Sequence, residues 1–192
     1  LGSKTITFHI GVNHEGYTMN QLRGFVRESL EKLLPYAEKY QIVMGIENGI
    51  RPTDQPDEIL RYLAEFKSPW LGCTFDTGHA NVLSNYDGKK DLDKFMQKVK
   101  DAWNGQPVFE NQALEKLAPH IVITHVHDNH GYRDEHKLAG CGDGTIDWEK
   151  TIKMLKYNCP RLISFENENS CIPNRIPVAR FAKVFPALVD KY

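Results

Sequence analysis

Acidic and histidine side chains recur at one structural position along this chain, directly after short apolar runs that are typical of β-strands. These residues are His9, Glu47, Asp76, His125 and Glu166. The carboxyl ends of parallel strands meet on one face of a barrel or sheet, where such proteins place their active sites. The two glutamates, the aspartate and His125 form a mixed oxygen and nitrogen set. Such a set suits a divalent ion, namely Mn²⁺, Mg²⁺, Co²⁺ or Zn²⁺.

The densest group of potential ligands follows the fourth predicted strand. It consists of His125, His127, Asp128, His130, Asp134 and His136. A buried strand that opens into a loop rich in His and Asp favours a metal site over an ordinary surface loop. Alternation along the strand would place His125 and His127 on one face. Within this group His130 is interpreted as a surface-loop residue, as are His14 and His120 elsewhere in the chain.

Strands and helices must alternate to bring these side chains together. β-Branched apolar runs predict five strands, over 4–10, 41–46, 70–75, 121–124 and 161–165. Apolar residues at helical spacing predict helices over 22–37, 56–66, 92–99, 110–117, 147–157 and 177–192. Thr18 or Asn20 is predicted to cap the first helix, and Asp147 the helix after the histidine-rich loop. The alternation predicts parallel strands with right-handed crossovers.

Composition restricts the class of protein. The length of 192 residues suits one domain, and a hydrophobic content of 41% with 26% charged residues predicts a globular chain. The net charge of −1 gives no general attraction to nucleic acid or to an anionic membrane. No apolar run approaches the roughly 20 residues that span a bilayer. The beginning of the sequence shows no secretory pattern. The four cysteines of the chain form no CxxC pair. A cytoplasmic protein with reduced thiols is expected.

Five short motifs occur in order along the chain. They are GIEN (45–48), FDTGH (75–79), HVHDN (125–129), DEHKLAGCGDGTIDW (134–148) and SFENE (164–168). In these motifs the sequence resembles the xylose isomerase-like TIM-barrel superfamily, which contains sugar phosphate isomerases and epimerases and the endonuclease IV group. The resemblance extends from the first predicted strand to the last.

The resemblance implies roles for particular residues. Four would hold the principal metal ion: Glu47, Asp76, His125 and Glu166. Of the two histidines on the fourth strand, the family pattern favours His125 over His127. Others would contact substrate or a second metal: His9, His79, Asp134 and His136. Asp134 and His136 match a D-x-H element that completes a multinuclear zinc site in the endonuclease branch. Arg133 is a further candidate for binding substrate hydroxyls or a phosphate.

The implied fold is a (β/α)8 barrel, yet only five βα units are predicted in this chain. They correspond to the fourth to eighth units, so residues 1–192 are expected to form a single, N-terminally incomplete domain. Either the chain is a fragment of a longer protein, or another chain supplies the missing part. An open sheet of five strands would expose apolar surface and an unpaired edge.

The function favoured at this stage is a metal-dependent isomerase or epimerase of a sugar or sugar phosphate. The reaction would proceed by proton abstraction through an enediolate held on the metal, with Glu47 and Glu166 as the catalytic residues. The partner would be a small sugar, with a homo-oligomer possible and no membrane association.

The alternative is an endonuclease IV-like, zinc-dependent hydrolase of abasic DNA. Nucleic acid is an unlikely partner on charge grounds, because Lys89-Lys90 is the only basic pair in the loops after Glu47 and Asp76. A non-catalytic member of the family is a third alternative.

Overall fold

Five parallel β-strands alternate with helices and form one sheet in the order β1-β2-β3-β4-β5. The computed structural model describes residues 2–10, 16–142, 144–158, 164–165 and 176–192, of which 164–165 and 176–181 are described by their backbone alone. The strands are β1 (Thr5–Phe8), β2 (Val43–Glu47), β3 (Leu71–Asp76), β4 (Ile121–Val126) and β5 (Ser164–Phe165). The predicted parallel α/β architecture with five units is confirmed.

Seven α-helices connect or follow the strands in the described part of the chain. They are α1 (Met19–Tyr40), α2 (Pro56–Phe66), α3 (Thr77–Val82), α4 (Lys94–Trp103), α5 (Ala113–Leu117), α6 (Trp148–Asn158) and α7 (Ile176–Lys191). Short 3-10 turns occur at Pro52–Asp54, Lys89–Leu92 and Ala118–His120.

The sheet is strongly curved, as a barrel wall must be. Thr7 on β1 and His125 on β4 are separated by two strands in the sheet order, yet Thr7 Oγ1 lies 3.2 Å from His125 Nε2. The register places Phe8 beside Ile46 and Asp76 beside His125, so the strands end at similar heights. The curved wall therefore directs side chains from non-adjacent strands into one interior.

Helix α1 shows how the sequence determines the ends of an element. Thr18 accepts a hydrogen bond from the Gln21 amide, and the Gln21 side chain accepts one from the Thr18 amide, which completes a capping box. Leu22, Val26 and Leu30 follow at intervals of four and are buried against the sheet. Of the two predicted caps, Thr18 is the one the structure uses.

The main core lies between the sheet and the helices beside it. Ile46 and Cys73 are fully buried, and Ile59 and Tyr62 of α2 pack in the same cluster. A second core forms where Trp148, Ile152 and Phe185 join α6 and α7 to β4. This packing holds the loop between β4 and α6 against the rest of the chain.

Several apolar side chains of β1 and α1 are exposed to solvent. Ile6 on this edge strand is 54% exposed, and Phe25, Tyr36 and Tyr40 of α1 are also exposed. An unpaired strand with apolar neighbours is the expected edge of an incomplete barrel.

Helix α3 is not among the helices predicted from the sequence. Its sequence, Thr-Gly-His-Ala-Asn-Val, has no apolar stripe from which a helix could be predicted. The helix forms because the Asp76 side chain accepts a hydrogen bond from the His79 amide at 2.7 Å and caps its first turn. The cap is thus one of the predicted metal ligands.

Other predicted elements agree with the structure to within a few residues at each end. β4 extends two residues beyond the predicted Thr124, and of the predicted fifth strand residues 161–163 lie outside the described part. Cys73 and Cys141 are buried, whereas Cys159 and Cys171 lie outside the described residues. Among the described helices, none combines the length and apolar character that crossing a bilayer requires.

Replacing Thr18 by alanine should lower the free energy of unfolding by about 0.5–2 kcal/mol, because the Gln21 amide loses the hydroxyl oxygen that caps it. Urea denaturation followed by circular dichroism measures the change. Thr18→Ser is the matched control and should retain most of the stability; equal losses in both variants would contradict the capping role.

Candidate functional site

Three predicted ligands converge where β2, β3 and β4 end. Glu47, Asp76 and His125 each offer one ligand atom within 4.8 Å of the others. His125 Nδ1 lies 3.2 Å from Glu47 Oε1, and the two carboxylates are buried, with exposed fractions of 2% for Glu47 and 0% for Asp76. Two carboxylates removed from water need a compensating positive charge. The arrangement therefore fits a cation.

Glu47 also faces a histidine on the open side of the site. His9, directly after β1, places Nε2 3.1 Å from Glu47 Oε2, and its side chain is 70% exposed. That contact lacks hydrogen-bond geometry, so Oε2 is a buried oxygen without a hydrogen-bond partner among the described residues. Glu47 thus keeps one carboxylate oxygen available for a further ligand or proton.

Asn48 holds the ends of β2 and β3 together and was not among the predicted site residues. Its amide group donates to the Asp76 carbonyl at 3.0 Å, and its side-chain oxygen accepts from the Asp76 amide at 2.8 Å. The backbone carbonyl of Asn48 contacts His79 Nδ1 at 2.9 Å. Its position directly after Glu47 in the GIEN motif is the one feature of the sequence that could have identified Asn48 as a site residue. Asn48 fixes the relative positions of two predicted ligands.

A second group of potential ligands adjoins the first. His127, Asp134 and His136 each offer one atom within 4.8 Å of the others. Asp134 Oδ1 lies 3.8 Å from His127 Nε2 and 3.5 Å from His136 Nε2. His127 Nδ1 and Asp134 Oδ1 are buried without hydrogen-bond partners among the described residues. Unsatisfied lone pairs of this kind are what a second cation would bind.

Two side chains join the groups. His127 Nε2 lies 3.1 Å from Asp76 Oδ2, and His79 Nε2 lies 3.3 Å from Asp134 Oδ2. The sequence favoured His125 over His127 as a ligand, and the structure places each histidine in a different group. The site is therefore one continuous network of carboxylates and imidazoles.

The loop that carries Asp134 and His136 is fixed by Asp128, which the sequence analysis counted among the potential ligands without giving it a specific role. Asp128 Oδ2 accepts a hydrogen bond from Trp148 Nε1 at 2.6 Å, and its backbone exchanges two hydrogen bonds of 2.8 Å with Lys137. Asp128 Oδ1 also accepts from the Ile146 amide at 3.3 Å. These bonds hold both ends of the loop against β4 and α6.

The pKa values report a strongly negative environment. Burial alone would lower the pKa of His79, but the carboxylates of Asp76, Asp134 and Glu47 outweigh it and raise that pKa to about 10. Burial would raise the pKa of Asp76, but His79 and His127 bring it down to about 2. Burial would lower the pKa of His127, but its contact with Asp76 raises it. Burial would raise the pKa of Asp134, but its contact with His79 lowers it. Positive charge is thus strongly favoured here.

Not every predicted site residue lies in this network. Arg133 has an exposed side chain and pairs with Asp93, which belongs to neither group. Glu166 and His14 lie outside the described residues. His120 and His130 are exposed, as predicted for surface loops, and His130 Nδ1 pairs with Glu135 at 2.8 Å.

Comparison with known proteins identifies a matching family and two proteins of similar sequence. A family model for the xylose isomerase-like TIM barrel matches residues 1–182. An uncharacterised protein of Methanocaldococcus jannaschii is 29% identical over 184 residues, which cover 88% of this chain and 54% of that protein. An uncharacterised protein of Sinorhizobium fredii is 21% identical over 86% of this chain and 48% of its own length. The chain therefore spans about half the length of these relatives.

Solved structures share the fold at low identity. A D-tagatose 3-epimerase-like protein aligns with a TM-score of 0.65 and 24% identity, covering 97% of this chain and 65% of its own. The IolI protein, solved with a bound zinc atom, aligns with a TM-score of 0.69 and 17% identity over 100% of this chain and 65% of its own. A 3-keto-D-glucoside 4-epimerase from E. coli aligns with a TM-score of 0.57 and 16% identity over 89% of this chain and 54% of its own. The predicted TIM-barrel fold is confirmed by these alignments.

Gly78 should not tolerate a side chain. A Cβ atom there would lie 1.9 Å from Cε1 of the fully buried His127, so the imidazole would have to move. We expect Gly78→Ala to lower the free energy of unfolding by about 1–3 kcal/mol. Urea denaturation measures this change.

Gly24→Ala is the matched control, because Gly24 also lies in a helix and a Cβ there meets no atom within 4 Å. It should be neutral or stabilising by about 0.5–1 kcal/mol. A Gly78→Ala variant as stable as Gly24→Ala would contradict the tight packing of His127.

Proposed function

Because the chain belongs to the xylose isomerase-like TIM-barrel family, we propose that it forms the metal-binding part of a sugar isomerase or epimerase. The observation that carries this proposal is the convergence of Glu47, Asp76 and His125 at the ends of three adjacent strands. The epimerase names of two solved neighbours and the zinc atom in the IolI structure support it. The substrate would be a small sugar or sugar phosphate.

The residues of the first group would hold one divalent ion, with Glu166 as the predicted fourth ligand. The donor set of carboxylate oxygens and one imidazole suits Mn²⁺, Mg²⁺, Co²⁺ or Zn²⁺. When bound, such an ion polarises neighbouring substrate oxygens and stabilises the negative charge that develops as a proton leaves carbon.

Glu47 is the base that the described residues offer for that proton. Its Oε2 is buried and has no hydrogen-bond partner among the described residues, and it faces His9 on the open side of the site. A carboxylate in this position can take the proton from the carbon next to a carbonyl. Glu166, the second predicted catalytic carboxylate, would return the proton from its own strand.

The geometry of the two carboxylates would decide the reaction outcome. If Glu47 and Glu166 flank the substrate carbon on opposite faces, the configuration inverts and the enzyme is an epimerase. If a proton is returned to the neighbouring carbon on the same face, an aldose and a ketose interconvert. His79 would bind a substrate hydroxyl or a second ion, and its contact with Asp134 supports this role.

We also propose that the barrel is completed by βα units outside this chain, either in a longer protein or in a partner chain. The exposed Ile6 on β1 and the exposed Phe25 and Tyr36 on α1 support this proposal. Such units would cover apolar surface and add loops to the substrate site. Activity is therefore best tested on the full-length gene product.

An abasic-site endonuclease is the second candidate, and the group formed by His127, Asp134 and His136 favours it. More than one metal ion suits phosphodiester hydrolysis. The basic residues argue against it, because Lys90 is buried and donates to the carbonyls of Val82 and Ser84, and Arg133 pairs with Asp93. Salt-sensitive binding and cleavage of an abasic duplex would reverse this ranking.

The proposed isomerase should exchange a substrate proton with solvent. Incubation of the full-length protein with Mn²⁺ and a panel of ketoses in D₂O should incorporate deuterium at the carbon next to the carbonyl, detected by mass spectrometry. Glu47→Gln should reduce the exchange rate by about 10²–10⁴-fold, because it removes the base.

Glu149→Gln is the matched control, since Glu149 is an exposed carboxylate on α6 that pairs with Lys153. It should leave the exchange rate unchanged. An absence of deuterium across the panel with the wild-type protein would refute the proposed chemistry.

Metal binding should displace protons at neutral pH. His79 carries a proton there because its pKa is raised to about 10, and a divalent ion nearby must expel that positive charge. We expect release of about one proton per ion at pH 7, and affinity should rise with pH. Titration calorimetry in buffers of different ionisation enthalpy measures the release.

His79→Gln should abolish most of this release, whereas His120→Gln, at an exposed position outside the network, should not change it. Identical heats of binding in all buffers for the wild-type protein would contradict the assignment of the proton.

A further inference from the structure

The hydroxyl group of Thr77 binds both polar groups of the His127 backbone. Thr77 Oγ1 donates to the carbonyl oxygen of His127 at 2.6 Å and accepts from its amide nitrogen at 3.0 Å. Both directions are fixed, because a carbonyl can only accept and an amide can only donate. Thr77 is 3% exposed and His127 is fully buried. One side chain thus satisfies the buried backbone of a potential ligand.

The places of the two residues in the fold explain why a side chain makes these bonds. β3 and β4 pair as far as Asp76 and His125. Thr77 is the next residue along the chain and begins α3, so its backbone enters the helix. His127 directly follows the last residue of β4. The Thr77 hydroxyl therefore continues the pairing between the two chain segments for one residue beyond the end of the sheet.

His127 lies between the two groups of potential ligands. Its Nε2 lies 3.1 Å from Asp76 Oδ2 in the first group and 3.8 Å from Asp134 Oδ1 in the second. Its ring also lies against the ring of His136, with the ring centroids 4.2 Å apart. A shift of the His127 backbone would therefore change the distances between the members of the second group.

The first group has anchors that do not involve the Thr77 hydroxyl. The Asp76 carboxylate accepts from the His79 amide at 2.7 Å. The Asn48 side chain forms two further hydrogen bonds with the Asp76 backbone. Loss of the Thr77 hydroxyl should therefore leave this carboxylate in place while it releases the backbone of His127. The two groups are expected to respond differently to the same substitution.

We propose that Thr77 is a positioning residue that holds His127 in place for the second group to bind a divalent ion. The single oxygen of its side chain is engaged by the His127 backbone, so Thr77 acts through that residue and not as a ligand. The metal-binding part of this inference rests on the proposed function, whereas the two hydrogen bonds do not. Residues that orient a metal ligand normally alter metal affinity by about 10–100-fold when they are removed.

The decisive variant is Thr77→Val, which keeps the shape of the side chain and removes the hydroxyl. The buried amide and carbonyl of His127 then lack their partner, so this segment shifts until they find others. Thr77→Ser restores the hydroxyl and should restore the wild-type behaviour. If the valine variant does not fold, Thr77→Ala takes its place and should show the same selective loss.

Thr145→Val is the matched control for removing a threonine hydroxyl from this region. Thr145 Oγ1 also donates to a backbone carbonyl after β4, that of Asn129 at 3.2 Å, but it does not bond to His127. In all these variants the Asn129 side chain still ties the same segment to α3, because its amide donates to the Gly78 carbonyl at 2.8 Å.

The first readout is hydrogen exchange of the His127 amide in the metal-free full-length protein, followed by ¹H–¹⁵N correlation spectra. The amide should be protected in the wild-type, Thr77→Ser and Thr145→Val proteins, and it should exchange faster in Thr77→Val. A wild-type amide that exchanges as fast as an exposed one, or an unchanged rate in Thr77→Val, would overturn the proposed positioning.

The second readout is the affinity for Zn²⁺, measured by competition with a chelator. The wild-type protein should bind one ion in each group. His125→Gln should remove the first-group step and His136→Gln the second-group step. Thr77→Val should weaken the second-group step by about 10–100-fold and leave the first-group step unchanged, whereas Thr77→Ser and Thr145→Val should bind as the wild-type protein does.

The outcomes separate this inference from the proposed function. Equal affinities in Thr77→Val and wild-type, or equal weakening of both steps, would overturn the link between Thr77 and the second group. A wild-type protein that binds one ion, lost in His125→Gln, keeps the proposed function and overturns this inference. If the wild-type protein binds no divalent ion, the proposed function fails, and the metal-binding part of this inference fails with it even where the His127 amide is protected.

Discussion

Buried carboxylates repel one another at the ends of the strands, and the surrounding structure must offset that repulsion. Glu47 and Asp76 are almost wholly excluded from water, and Asp134 lies close to them. Two like charges in such a position are tolerated only with nearby positive charge and directed hydrogen bonds. The imidazoles of His79 and His127 supply the positive charge. The backbone amide of His79 donates a directed hydrogen bond to Asp76. The site is thus electrostatically incomplete without cations, whether these are protons or metal ions.

Close approach of strands and helices is the second requirement, and glycines meet it at two points. At Gly45 the hydroxyl of Thr74 passes across β2, and at Gly78 the imidazole of His127 lies against the backbone of α3. Neither contact would survive a Cβ atom. The polar network therefore depends on the absence of side chains as much as on the residues that carry its chemistry.

The sequence predicted the strands, most helices and the residues at the strand ends, because apolar periodicity and strand-end position are local signals. It did not predict α3, whose first turn depends on the Asp76 side chain rather than on an apolar stripe. Nor did it predict Asn48, since that role arises from contacts between residues far apart in the chain. The family and its barrel fold were predicted from the ordered motifs. The three-dimensional grouping of His127 with Asp134 and His136 was not, because it depends on how the loop after β4 folds back.

If the first group binds a divalent ion as proposed, the paired hydrogen bonds between Asn48 and the backbone of Asp76 would affect which ions it accepts. They join the ends of β2 and β3, so the backbone positions from which the Glu47 and Asp76 side chains extend are held together. A rigid gap discriminates between ions by radius, since Ca²⁺ needs longer oxygen distances and more ligands than Mg²⁺ or Mn²⁺. A flexible gap would adjust to either. The Asn48 side chain, which would bind no ion itself, would then help to exclude larger ions from the site.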